Sequence, residues 1–295
     1  MPLIQSTIKQ SFTLCSTLLC CAMLFSHTAQ ANRFADTQIT STDLGQGLYF
    51  LSGAGGNMAS LISEDKVLLV DSQFAEMADK INTTLLKLSN NQPLTALINT
   101  HMHGDHVGGN AALASNLPII AHYKVRQRLA DNAQFDPAGL PNTLIEEQSE
   151  LQVGAYTLNL QPMPASHTDG DLLVWFTAHN AVHMGDLMFQ GRFPFVDTNN
   201  GGNVQQYIEN TRYVIAKIDD NTRVIPGHGE LTNKAGLTRE LYMMESTLAE
   251  VKVLKDSGIT LEQAIERGLS EQWQSWHWNF ITEARWITTL WQALP

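Results

Sequence analysis

Thiols and cations are what this 295-residue chain has least of. Its three cysteines, Cys15, Cys20 and Cys21, all sit near the start, and no other occurs. Everything beyond them must hold together without disulfides, and no thiolate is available there as a ligand or nucleophile. Only 16% of residues are charged, with 18 bases against 29 acids and a formal net charge of −11. No basic stripe interrupts this acidic background, which argues against a nucleic-acid or anionic-membrane partner and for a small, neutral or weakly charged substrate. The apolar fraction of 43% is ordinary for a globular protein and argues against disorder.

The start of the chain departs from this average. A polar beginning with the single base Lys9 leads into an apolar run over residues 12–25, followed by Ala29-Gln30-Ala31. The pattern predicts a signal peptide over residues 1–31 with cleavage after Ala31, the run being short for a membrane span. Lipidation would need a small residue before the modified cysteine, whereas Leu19 precedes Cys20 and Cys20 precedes Cys21. The expected product is one domain over residues 32–295, periplasmic or secreted, without a stable membrane anchor. Its 17 bases against 29 acids give −12.

Short β-rich runs at residues 47–52, 58–63 and 66–71 are punctuated by Gly53-Ala54-Gly55-Gly56-Asn57 and Glu64-Asp65, which read as hairpin turns. An amphipathic helix is predicted over 74–88 and a strand over 94–99. Further strands are expected at 151–154, 156–161, 172–177 and 181–184, before a loop at 190–203. A helix at 204–218, a strand at 222–225 and helices at 238–256 and 261–267 complete the pattern. Strands grouped with helices in both halves point to a layered two-sheet α/β domain, not a doubly wound one.

The chemistry is concentrated in Thr100-His101-Met102-His103-Gly104-Asp105-His106-Val107-Gly108-Gly109-Asn110. Four potential ligands fall within six residues. A helix would spread His101 and His103 over opposite faces. A turn at a strand end can aim them at one metal and Asp105 and His106 at a neighbour. Gly104, Gly108 and Gly109 are expected to give that turn its freedom.

This run resembles the HxHxDH signature of the metallo-β-lactamase superfamily. Downstream, His167 in Pro164-Ala165-Ser166-His167-Thr168, Asp186 in Met184-Gly185-Asp186 and His228 in Pro226-Gly227-His228-Gly229 resemble its remaining ligands. The resemblance implies a four-layer αββα sandwich with the site at one edge. It implies a first zinc on His101, His103 and His167, a second on Asp105, His106 and His228, and Asp186 bridging them. Iron or manganese would suit the same donors. Two dications about 3.5–4 Å apart can hold a hydroxide between them near neutral pH. The implied reaction is hydrolysis of a lactone, ester, thioester or β-lactam, with Asp105 orienting the nucleophile or relaying a proton. Dedicated β-lactamases of the fold commonly carry Cys or Ser where Asp186 stands, and flavin-linked diiron enzymes typically carry Glu where His103 stands. A true metallo-β-lactamase, a non-catalytic zinc-binding protein and a diiron redox enzyme remain the alternatives.

Other residues carry weaker expectations. Asp71, ending an apolar strand, resembles the superfamily's buried acid behind the metal loop, and strand capping explains it equally well. His122, His179, His183 and His277 lack partners at metal spacing and read as packed or surface side chains. Trp273, Trp276, Trp278, Trp286 and Trp291 read as core, with a subset available to line an apolar substrate wall or a dimer contact. Residues 53–57 could overhang the site as a mobile flap, and Arg192 and Asn203 could meet a substrate carboxylate or oxyanion.

Overall fold

The expected hairpin runs build a seven-stranded sheet, to which tertiary pairing adds strands that periodicity missed. The computed structural model describes residues 33–295, so the expected signal peptide lies outside the described residues. The sheet order is β1 (Thr40–Asp43), β2 (Leu48–Ser52), β3 (Met58–Ser63), β4 (Lys66–Val70), β5 (Ala96–Ile98), β6 (Ile119–His122) and β7 (Thr143–Ile145). Pairing is antiparallel from β1 to β4 and parallel from β4 to β7. Parallel neighbours need crossovers. These contain α1 (Ala78–Leu88), then α2 (Gly104–Val107) with α3 (Asn110–Ala114), then α4 (Tyr123–Asp131). Helix α1 starts later than expected because Ala75–Met77 form a tighter 3-10 turn.

The second sheet contains β8 (Ser149–Val153), β9 (Tyr156–Pro162), β10 (Leu172–Phe176), β11 (Ala181–Phe189) and β12 (Arg223–His228), in the order β12-β11-β10-β9-β8. Its helices are α5 (Val204–Lys217), α6 (Lys234–Asp256), α7 (Leu261–Arg267) and α8 (Glu283–Ala293). Strand β11 runs past the expected residue 184 to Phe189, carrying Asp186 with it.

Period-two alternation assigns the layers. Leu48, Phe50, Leu68 and Val70 face Leu158, Leu160, Leu172, Val174 and Phe176 of the other sheet. Leu51, Val67 and Leu69 turn the opposite way, onto Met77, Ile81 and Leu85 of the α1 region. Leu173, Val182, Met184 and Val224 pack beneath α5, α6 and α8, where Trp286 is fully buried. Helices therefore cover the outer faces of two stacked sheets, giving the expected αββα sandwich. No described helix is long and apolar enough to cross a membrane.

One acid in this core is unusual. Glu240 of α6 is fully buried, and its Oε1 accepts the Phe189 amide at the end of β11. Burial, with the nearby negative charge of Asp186, pushes its pKa from 4.5 to about 8, against the opposing effect of that hydrogen bond. A raised folded pKa stabilises fully below the unfolded value, and that contribution is lost as pH rises through about 8. Within that window the slope from this group is about 1.4 kcal/mol per pH unit. Glu240→Gln keeps an acceptor for Phe189 and cannot ionise. Chemical denaturation of the variant between about pH 5 and about pH 8 should therefore lose this slope, and an unchanged slope would exclude Glu240 as its source.

Candidate metal centre

Strand ends deliver the donors. After β5, His101 lies at a bend and His103 in extended chain, while Asp105 and His106 occupy the single turn α2, so the expected simple turn is corrected to a loop followed by a short helix. The glycines also act differently from expectation. Gly104, Gly108 and Gly109 all avoid positive φ. A side chain at Gly108 or Gly109 would strike the carbonyls of Gly104, Gln73 or Ser72, so those two permit close packing and not an unusual turn. Backbone freedom matters at Gly185, where φ is +52° beside an irregularity in the β11–β12 pairing. A Cβ there would meet the Thr100 side chain at 2.6 Å. This bend brings Asp186 to the metal loop.

Two donor groups result. His101, His103, His167 and Asp186 form one, and Asp105, His106 and His228 the other, with the ligand atoms of each within 4.8 Å of one another. Asp186 joins them. Its Oδ2 lies 3.7 Å from His101 Nε2 and 3.4 Å from His167 Nε2, while Oδ1 lies 3.1 Å from His106 Nε2 and 3.4 Å from His228 Nε2. Asp105 Oδ2 is 3.3 Å from His228 Nε2. All seven sequence-derived candidates are thus together.

Hydrogen bonds on the far side of the rings select which nitrogen is bare. His106 Nδ1 donates to Asp71 Oδ2 at 2.7 Å, and His167 Nδ1 donates to the Phe195 carbonyl at 2.7 Å. Thr100 Oγ1 donates to Asp71 and so accepts from His101 Nδ1 at 3.0 Å. His103 is turned around: its Nε2 donates to Asp197 Oδ2 at 2.8 Å, leaving Nδ1 facing His167 Nε2 at 2.9 Å. In the neutral rings those facing nitrogens both present lone pairs, an arrangement that a shared cation relieves. Burial lowers the His167 pKa to about 4, which disfavours a proton in that role. His101 Nε2, His106 Nε2 and Asp186 Oδ1 are buried without a hydrogen-bond partner. The donor set therefore fits divalent metal ions.

Asp71 stands behind the metal loop, hydrogen-bonded to it. Besides His106, it accepts the Thr100 amide at 2.8 Å and the Thr100 hydroxyl at 2.8 Å. Sequence reasoning missed Asp197, whose partner is 94 residues away. It also missed Asp171, which accepts from Ser166 Oγ, the His167 and Thr168 amides and Thr168 Oγ1, shaping the turn that presents His167.

Several expectations are corrected by contacts. Residues 53–57 are tied down instead of forming a free flap: Gly56 N donates to Asp105 O at 3.0 Å, and Asn57 Nδ2 donates to the Pro226 and Gly229 carbonyls. A Cβ on Gly56 would lie 2.1 Å from the His106 ring, so the turn packs directly against a ligand. Asn203 caps α5 by accepting the Gln206 amide, and Arg192 lies over the Trp278 ring. Neither belongs to the lining of the cleft above the donors. That cleft has a volume of about 530 Å³. As expected of packed side chains, His122, His179 and His183 are buried and belong to neither donor group, with His179 Nε2 donating to the Gln46 carbonyl.

The whole matched stretch agrees with this geometry: residues 52–228 match the sequence profile of the metallo-beta-lactamase superfamily. The chain belongs to that superfamily. Among its curated relatives, a hydroxyacylglutathione hydrolase of Polaromonas sp. (strain JS666 / ATCC BAA-500) is 32% identical over 149 residues, covering 49% of this chain and 52% of that protein. With a second such hydrolase at 59%, the chain spans only about half to three fifths of the length of these relatives. A metallo-beta-lactamase from Pontibacter korlensis superposes with a TM-score of 0.61 at 16% identity, covering 70% of this chain and 99% of that one. The sec-alkylsulfatase Pisa1 from Pseudomonas sp. gives 0.67 at 16% identity, covering 86% and 50% respectively. These two likenesses show the superfamily's fold in this chain.

Metal uptake by a superfamily site of this kind should release protons. In metal-free protein, burial lowers the His228 pKa, but Asp186 and Asp105 outweigh it and raise the value to about 9; His106 is raised well above 6.5 by Asp186 and Asp71 against its own burial. Metal must displace these protons, so affinity should weaken as pH falls below 9, by about tenfold per pH unit for each proton displaced. Zinc titration in weakly buffered indicator dye tests this: acidification is expected, and uptake without proton release would contradict it.

Proposed function

We propose that this chain is an exported dinuclear zinc hydrolase that cleaves a small carbonyl substrate: a lactone, ester, thioester or β-lactam. The observation that carries the reading is Asp186, whose two oxygens face separate histidine groups across a buried centre. His101, His103 and His167 would hold one zinc, Asp105, His106 and His228 the other, with Asp186 between them. Bound zinc supplies Lewis acidity toward a carbonyl and lowers the proton affinity of water.

The chain's own residues supply orientation and proton handling. Asp105 lines the cleft, and although burial alone would raise its pKa, His106 and the His228 hydrogen bond bring it below the ordinary carboxylate value. Its Oδ2 is therefore ionised at neutral pH, able to orient the nucleophile and pass a proton toward the leaving group. Asp71 and Asp197 keep His106 and His103 in the tautomers that leave their ligand nitrogens bare. The hydroxyacylglutathione hydrolases among the relatives favour a thioester or ester, whereas Asp186 in place of Cys or Ser argues against a dedicated β-lactamase.

The test is metal content per purified chain, with turnover of a homoserine lactone, a thioester and a chromogenic cephalosporin measured with and without chelator. About two zincs and chelator-sensitive turnover are expected. Stoichiometric zinc without turnover would favour a binding role, and no bound metal would overturn the ligand assignment. Export to the periplasm or medium is tested by the mature N-terminus, expected at Asn32.

A further inference from the structure

The cleft above the donors has aromatic walls and no lysine or arginine in its lining. Phe189 and Trp278 have ring centroids 6.0 Å apart, Trp278 and Phe280 5.5 Å, and Phe280 and Phe195 5.2 Å, making one continuous wall. Phe74 contributes a further aromatic surface beside Gly55. Phe280 is 48% exposed, a large apolar ring left in water at the cleft. The charged or ionisable lining consists of His103, Asp105, Asp186 and His228, all members of the donor groups.

The nearest arginines are engaged with the rings. Arg192 sits 5.4 Å from the Trp278 centroid. Arg285 sits 4.4 Å from Phe280 and 4.9 Å from Phe195, and its Nη1 donates to the Phe280 carbonyl at 2.8 Å. Neither lines the cleft. Because both guanidinium groups are stacked on the rings and no lysine or arginine lines the cleft, a substrate carboxylate placed inside it against the wall would lose water with little compensation, while an apolar or aryl group there would bury its own surface and that of the wall.

We propose that the substrate is an uncharged acyl compound whose apolar or aryl portion lies on the Phe189–Trp278–Phe280–Phe195 wall, and that the site discriminates against compounds carrying a carboxylate at that end. This rests on the hydrolase reading and narrows it: a glutathione thioester or a carboxylate-bearing β-lactam is a poor substrate, whereas a neutral aryl or alkyl ester or lactone is a good one. Trp278 and Phe280 are the specificity residues.

Binding and turnover are measured separately on the zinc-loaded full chain. Benzylacetone, an uncharged ketone that cannot be hydrolysed, is titrated alongside its para-carboxy analogue. The neutral ketone is expected to bind about tenfold more tightly, and Trp278→Ala or Phe280→Ala to weaken it about tenfold. Circular dichroism checks that each variant folds, and the half-exposed Phe280 provides the safer substitution. Equal or tighter binding of the carboxylate analogue overturns the proposal, as does an unchanged neutral-ketone affinity in both folded variants. The corresponding methyl phenylpropionates, neutral and para-carboxy, are then assayed for hydrolysis. Preferential neutral-ketone binding with neither ester cleaved would support this specificity while overturning the hydrolase reading for such esters.

Discussion

Asp186→Asn is expected to lower kcat/KM about a thousandfold, equivalent to ~4 kcal/mol at the transition state, and to reduce bound zinc from about two per chain to one or fewer. The substitution preserves shape where shape is critical: Asp186 is 4% exposed, and a Cβ on Gly227 would lie only 2.0 Å from its Oδ1. What changes is the acceptor set. One oxygen faces His101 and His167, the other His106 and His228. Asparagine gives one group an amide NH2 that cannot act as an anionic ligand and removes the charge that neutralises the centre. The measurements are kcat/KM on a substrate cleaved by wild type and zinc content by elemental analysis. Two retained zincs with undiminished activity would show that Asp186 does not bridge.

Asp71→Asn should weaken zinc affinity by about 10–100-fold although Asp71 is not among the proposed ligands. Its φ is +63°, and asparagine tolerates this left-handed backbone better than a bulky residue. The effect comes from hydrogen-bond polarity. Asp71 Oδ2 accepts from both His106 Nδ1 and the Thr100 hydroxyl. An amide nitrogen at that point faces two donors, and relief by moving the His106 proton to Nε2 blocks the lone pair needed by metal. Competition with a graded chelator would measure the affinity, and activity should recover partly in excess zinc. Unchanged affinity would reduce Asp71 to the strand-capping role.

Sequence spacing made the metal loop legible because four of its donors lie in one short run, where local chain geometry limits how far they can separate. His167, Asp186 and His228 required the family resemblance, since their spacing alone does not say that the β9–β10 loop, β11 and β12 converge. The exact strands were less legible. Runs 47–52, 58–63 and 66–71 are β-rich runs bounded by turn residues and match strands to within a residue at their ends, whereas β1 is an exposed polar edge strand and β6 and β7 are short strands completed by parallel pairing across crossovers. The aromatic segment divides similarly: Trp273, Trp276 and Trp286 are core, while nearby Trp278 borders the cleft, a distinction set by where the chain passes Phe189.

The sequence by itself determined the layered α/β class and the four-donor metal loop, because periodicity and residue chemistry are local properties that survive without coordinates, and its resemblance to the family supplied the other three candidate donors. Only the tertiary structure decided that Asp186 spans the two groups, that Asp71 and Asp197 select histidine tautomers, that Arg192 and Asn203 stand outside the cleft, and that an aromatic wall closes it. Those facts depend on distances between segments far apart in the chain, and such distances are set by the packing of the sheets and helices.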